Sequence, residues 1–320
     1  MRLPSLFNCS NDMALAANVR QYLPPKRIQQ MEEDLKDLAQ YWDEGPWGWS
    51  LCTKQRYRKM GIPEEELPSD EWLGEVRRLS SREFACNYIK EMLGTLNDER
   101  LVGHEMQFCT ALPAPATTAP AIYKSPWSSS GRGVFTSQGL SQELIDKRLQ
   151  GFLNTQGGFV ADRFYDKELD YAMEFYVHRD HTVEFLGYSI FHAEENGAYG
   201  YNLVDDQHAL MSHISSVRDL NNRLIEYHMS HLGQTAYHGP VGIDMLLLKS
   251  GPDQVVNGKS QNTKRIHPCI EINLRMNMGI LALLLYKRYG SKANIQLTPP
   301  RPQGFEAKIE DGKLVIKVSR

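Results

Sequence analysis

GPVGIDMLLL, residues 239–248, and IEINLRMNMG, residues 270–279, are the two stretches on which the reading of this chain turns. In the first, Asp244 interrupts an apolar run that reads as a strand over 241–248, where an ionised carboxylate without a partner would be costly. In the second, a strand over 266–273 places Glu271, Asn273 and Arg275 at i, i+2 and i+4, on one face. With Asp244 on an adjacent strand, two carboxylates and an amide oxygen form an oxygen set suited to magnesium held together with nucleotide phosphates. Arg275 sits beside it, where a guanidinium can grip a carboxylate or a transferring phosphoryl group through paired hydrogen bonds. A solvated strand face would account for a lone Glu-x-Asn, but the charge buried in VGIDMLLL opposes that account.

Upstream, Ala121 to Lys124 reads as a short strand that ends in a cation and runs into SPWSSSGRGV, residues 125–134. Small residues let backbone N–H groups approach anionic oxygens, with Lys124 and Arg132 supplying charge; taken alone, such a loop is equally a solvent-exposed turn. Helices are expected over 28–42, from a Ser80 or Ser81 cap to about Gly94, over 143–153, 220–232 and 280–286. Residues 43–70, broken by Gly and Pro, read as irregular, and 112–120 as an extended connector. Residues 171–191 read as a hairpin turning at His178-Arg-Asp-His181, and 305–318 as a second hairpin turning at Asp311-Gly312.

Composition narrows the partners. The 320 residues are 41% apolar, enough for a sizeable core, and 36 basic against 39 acidic residues leave a net charge of −3, so neither nucleic acid nor an anionic membrane is expected as a partner. The longest apolar run, 280–285, falls far short of the roughly 20 residues of a membrane span, and the N-terminus lacks a secretory h-region, so a cytoplasmic location is expected. Five scattered cysteines without a CxxC pair argue against a disulfide framework or zinc site. His178-Arg-Asp180 has the first letters of a kinase catalytic loop but not its Asn or a DFG, and there is no GKS/T loop or GxGxxG.

Taken in order, Lys124, the SSSGRGV loop, FVADRFYDKELDYAMEF (159–175), GPVGIDMLLL and IEINLRMNMG resemble the ATP-grasp superfamily over about residues 80–290. The opening FNCSNDMALA is similar to that of a bacterial group of ATP-grasp proteins resembling carboxylate-amine ligases. The resemblance implies an α+β ATP-grasp fold: a smaller N-terminal α/β domain over 1–79, then two α+β subdomains over 80–161 and 162–320 that grip ATP. It implies ATP and magnesium, or manganese, as cofactors, with Asp244, Glu271 and Asn273 at the metal and Arg275 and Lys124 as the catalytic cations. Ser129, Ser130, Gly131, Arg132 and Gly133 would cover the phosphates. Asp162, Arg163, Phe164 and Tyr165 would form the adenine hinge, and Asp170, with Glu168 as its competitor, would hold the ribose. Arg82 stands where family members carry a second phosphate-binding lysine, and Leu274 replaces the proline that usually follows Glu-x-Asn. Asn11 and Asp12, with Tyr199, Tyr201 and Asn202, are the substrate-site candidates, though Asx turns and an ordered tyrosine loop explain them as well. The implied activity is an ADP-forming carboxylate-amine ligase on small-molecule or peptide substrates, and a homodimer is compatible with it. A small-molecule kinase or a non-catalytic nucleotide binder on the same scaffold are the rival expectations.

Overall fold

The structure is a computed structural model that describes residues 2–114, 120–128, 133–193, 199–249, 254–256, 259–261, 264–290, 293–296, 305–310 and 313–318. The helices are α1 (Asn11–Ala17), α2 (Lys26–Asp34), α3 (Leu51–Lys59), α4 (Asp70–Leu79), α5 (Arg82–Leu96), α6 (Gln142–Gln156), α7 (Gln207–His213), α8 (Arg218–Leu232) and α9 (Met278–Tyr289). Strands β1 (Gln107–Cys109), β2 (Ala121–Lys124), β3 (Val134–Thr136) and β4 (Phe159–Arg163) form a small antiparallel sheet in the order β1-β4-β2-β3. Six strands form the large antiparallel sheet: β5 (Lys167–Val177), β6 (Val183–Ala193), β7 (Tyr199–Val204), β8 (Gly239–Leu248), β11 (Ile266–Asn273) and β12 (Ala293–Gln296), ordered β11-β8-β5-β6-β7-β12. Two further hairpins pair β9 (Gln254–Val256) with β10 (Lys259–Gln261), and β13 (Phe305–Glu310) with β14 (Lys313–Val318). The second is the expected C-terminal hairpin, whose turn at Asp311-Gly312 lies outside the described residues.

Period-two alternation divides the large sheet. Tyr171, Met173, Phe175 and Val177 on β5 point with Ile243, Met245 and Leu247 on β8 into one core, shared with Ile89 and Met92 of α5 and Leu220 and Leu224 of α8. The opposite face carries Asp170, Ala172 and Glu174, because Ala172 pairs with Asp244 and Glu174 with Gly242. Part of that face is covered by α9 and the N-terminal segment, which share a core of Phe7, Leu35, Leu38, Trp47, Ile280, Leu281 and Leu285. What α9 and the N-terminal segment leave uncovered is where the polar residues gather.

Local signals account for the element ends. The Ser81 hydroxyl accepts from Phe84 N at 3.1 Å at the start of α5, and Asn277 does the same for Ile280 N at 2.8 Å at the start of α9. Gly290 closes α9 with φ 62°. Two expectations are corrected. Residues 2–79 form helices and isolated bridges, with no strand, and their apolar residues pack on α9 rather than around a separate α/β core. Residues 51–59, expected to be irregular, form α3, whose buried side is Thr53, Lys54 and Tyr57; a polar buried side leaves no apolar stripe to read. The 28–42 helix breaks into α2 and a 3₁₀ segment, Lys36–Tyr41. Among the described residues no helix is long and apolar enough to cross a membrane.

Beneath the sheet, His228 is fully buried, with Nδ1 2.7 Å from Tyr88 Oη. Burial pushes its pKa down from 6.5 to about 3. The unfolded chain therefore takes up the proton first, so this contribution to stability is complete above 6.5 and is lost as pH falls towards 3. Between pH 6.5 and 4.5, wild type should lose up to about 1.4 kcal/mol per pH unit more than His228→Gln. Urea melts at the two pH values check this; parallel profiles would contradict it.

Candidate active site

Strands β8 and β11 pair with Glu271 opposite Asp244 and Asn273 opposite Gly242, so both acids and the amide lie on the polar face. Asn273 Nδ2 donates to Asp244 Oδ2 at 3.1 Å. Burial, followed by the charges of Glu271 and Glu174, pushes the Asp244 carboxyl well above its ordinary range, against the opposing pull of Arg275. A bound cation would relieve that repulsion. Among the described residues no group of three or more His, Cys, Asp or Glu side chains is arranged to hold a metal. Two carboxylates and an amide fit a hard divalent ion that draws its remaining ligands from phosphates and water.

Arg275 is half-buried beside this set and is clamped by Asp12 of α1: Nε donates to both carboxylate oxygens at 3.0 and 3.1 Å, and Nη2 lies 2.9 Å from Oδ2. Burial disfavours its charge, but Asp12 more than offsets this. Met276 N donates to Trp47 O at 2.7 Å, so the N-terminal segment is fixed to the strand that carries the acids. Asn11, a candidate substrate contact, has its amide nitrogen turned inward, donating to Gly48 O at 3.0 Å and Trp49 O at 3.3 Å, and borders a small recess with Asp12, Glu271 and Arg275. Asn8 likewise donates to Gly48 O at 2.8 Å.

The small sheet contributes the cations. Lys124 ends β2 and is 6% exposed; burial pushes its pKa down, with Asp162 the main influence opposing this and Arg82 adding to the downward push. Arg82, at the first turn of α5, bridges the two sheets: Nη1 donates to Ser125 O at 2.7 Å and Ser128 Oγ at 2.6 Å, and Nη2 to Glu271 Oε1 at 2.8 Å. Gly133 has φ 66°, and a Cβ there would lie 2.2 Å from Ser125 Oγ, so the turn that returns the loop to β3 requires glycine. Ser129, Ser130, Gly131 and Arg132 lie outside the described residues.

Residues 163–167 connect β4 of the small sheet to β5 of the large one, where the hinge was expected. Phe164 is 36% exposed there, and its N donates to Pro120 O at 2.7 Å. Arg163 lies 3.7 Å from Glu105, and Tyr165 Oη accepts from Gly103 N at 3.2 Å. Asp162 points inward: it is 1% exposed and lies 3.0 Å from His267 Nε2. Burial would raise its pKa, but His267 and Lys124 hold it below the usual range. Asp170 faces the polar side, ion-paired with Lys167 at 2.5 Å, whereas Glu168 pairs outward with Lys264.

Asp244, Glu271 and Asn273 border a cavity of about 200 Å³ whose wall also includes Phe7, Trp47, Phe191, Tyr199, Asn202, Glu174 and Arg275. Asp12 also lines it, while Tyr201 instead stacks on His192 with ring centroids 5.4 Å apart. Three contributors escaped the sequence reading. Glu174 is 1% exposed and accepts from Ser189 Oγ at 2.7 Å and Asn277 Nδ2 at 2.8 Å. Burial lifts its pKa to about 7 despite both donors. Glu174 breaks an apolar strand just as Asp244 does, and the same reasoning would have found it.

A small sheet that ends in a buried lysine, a short connector, and a large antiparallel sheet with an acidic face together make an α+β scaffold. No family model and no curated protein matches the sequence. Among solved structures the chain is similar to an L-amino acid ligase from Bacillus licheniformis, at 13% identity, TM-score 0.43, over 72% of this chain and 48% of that one. It is similar to N5-carboxyaminoimidazole synthetase from Staphylococcus aureus complexed with ADP, at 11% identity, TM-score 0.37, over 76% and 55%. It is also similar to pyruvate carboxylase from Rhizobium etli, at 12% identity, TM-score 0.46, over 67% and 17%. The chain spans about half the length, or less, of these three structures. At such identities and scores the likeness carries nothing about activity, and the chemistry rests on this chain's own side chains.

Proposed function

We propose that the chain is an ATP- and magnesium-dependent ligase that activates a carboxylate as an acyl phosphate and joins it to an amine, releasing ADP and phosphate. One observation carries this reading: Asp244, Glu271, Asn273 and Arg275 line one polar cavity that Arg82 ties to the small sheet carrying the buried Lys124. Magnesium held by Asp244, Glu271 and Asn273 would neutralise phosphate charge as the γ-phosphoryl group is transferred. Lys124 and Arg275 add positive charge in a site of low dielectric, where it acts strongly. The exposed ring of Phe164 would offer adenine an aromatic face, and Asp170 would offer the ribose an acceptor. A carboxylate oxygen attacks the γ-phosphorus and the bond to the β-phosphate oxygen breaks. The amine then attacks the acyl carbon, phosphate leaves, and the amine gives up its proton to phosphate. No protein nucleophile is needed, since positioning and electrostatics suffice.

The test is ADP release from ATP and magnesium with a panel of carboxylates and amines, with product masses measured. Condensed product is the expected result. A phosphorylated product without condensation would make the protein a kinase, and ATP left intact across the panel would make it a nucleotide binder.

A further inference from the structure

The cavity beside the acids differs in chemistry from the phosphate-facing side. Its far end holds acceptors: the Glu174 carboxylate, fixed by donors from Ser189 and Asn277, and the amide oxygen of Asn202. Asn202 is 1% exposed, and its Oδ1 has no hydrogen-bond partner in this structure, while Nδ2 reaches Ile190 O at 3.5 Å. A buried acceptor without a donor costs about 1–3 kcal/mol, and here it borders a cavity that can supply one. Register brings these groups together: Asn202 pairs with Phe191, Phe191 with Asp170, and Ser189 with Ala172, all on the polar face with Glu174. The remaining wall is divided: Phe7, Met31, Trp47, Phe191 and Met278 make an apolar side, and Asp12, Asp244, Glu271, Asn273 and Arg275 make the side shared with the acids. At about 200 Å³ the cavity is smaller than the roughly 300–1,000 Å³ typical of ligand pockets, so its occupant is small.

We infer that this cavity binds a primary ammonium group on a compact apolar body, with the N–H donors received by Glu174 and Asn202 and the hydrocarbon by the aromatic and methionine wall. The inference rests on the ligase reading only in naming this occupant a substrate; the ammonium site itself follows from the cavity. Two sources share the chemistry: a simple amine, or an amino acid whose carboxylate lies towards Arg275.

Three probes that share an isobutyl group separate them: isoamylamine, leucine and 4-methylpentanoate, titrated calorimetrically into the full chain, with MgADP titrated separately. Isoamylamine or leucine should bind about tenfold or more tighter than 4-methylpentanoate, a gap of about 1.4 kcal/mol. Asn202→Thr should weaken the ammonium probes by a similar factor while leaving MgADP affinity unchanged, and Glu174→Gln, which should weaken the same probes, gives a second variant should the first fail to fold. Tight isoamylamine binding assigns a simple amine; binding of leucine alone assigns an amino acid. The inference is overturned if 4-methylpentanoate binds as well as the ammonium probes, if no probe binds, or if both variants bind like wild type. MgADP binding without ammonium binding would remove this site and leave the nucleotide reading standing; the reverse would remove the nucleotide reading alone.

Discussion

Glu271→Ala is expected to lower ATP turnover by about three orders of magnitude or more, the scale of losing a principal electrostatic contact to the transferring group. The residue stands opposite Asp244 on the paired strand and is the carboxylate that Arg82 grips from the other sheet at 2.8 Å. Its removal takes away a proposed metal ligand and frees Arg82 from the acidic face at the same time. Arg82 keeps Ser125 O and Ser128 Oγ as acceptors, so the variant should still fold. The check is ADP release under saturating magnesium, with a melting curve as the control for folding. A folded variant with turnover within about tenfold of wild type would remove Glu271 from the chemistry.

Asp244→Asn should have two large effects of opposite benefit: the metal-free protein becomes more stable and magnesium-dependent activity is lost. Burial, Glu271 and Glu174 raise the Asp244 carboxyl well above its ordinary 3.8. A carboxyl raised on folding favours the native state only while protonated, so its contribution is present below about 3.8 and is lost as pH rises through the folded value. At neutral pH the unfolded chain holds this carboxyl ionised while the fold disfavours its charge, so the group weakens the native state, and the isosteric amide removes that cost. The gain should be about 1–3 kcal/mol, several degrees in melting temperature, and should vanish near pH 4. Magnesium should stabilise wild type and leave the variant unmoved. Equal melting temperatures for the two proteins without magnesium at pH 7 would contradict the account, as would equal stabilisation by the metal. Such a trade is expected where a site gathers like charges for function.

Much of the acidic face was legible because strand periodicity is simple. Once 241–248 and 266–273 read as strands, Glu271, Asn273 and Arg275 had to share a side, and register then set Glu271 against Asp244. The strand before Lys124, the 171–191 hairpin and α9 followed from alternation, turn residues and caps. What escaped was long-range. Nothing in the sequence announces that Arg82 and Glu271, 189 positions apart, form an ion pair. Nor does it announce that Asp12 holds Arg275 across 263 positions. The N-terminal segment was misread because its apolar residues complete their core with α9, which lies more than 200 positions away. His267 gave no signal, since its partner Asp162 lies in the other sheet.

The central claim is that a nucleotide and magnesium bind together against the face carrying Asp244, Glu271 and Asn273. Calorimetric titration of ADP into the full chain, with magnesium and with magnesium removed by chelation, tests it most directly. The account predicts binding that weakens about tenfold or more without magnesium in wild type, and a magnesium dependence that disappears in Asp244→Asn. ADP binding of equal strength with and without magnesium, or no binding in either condition, would contradict it.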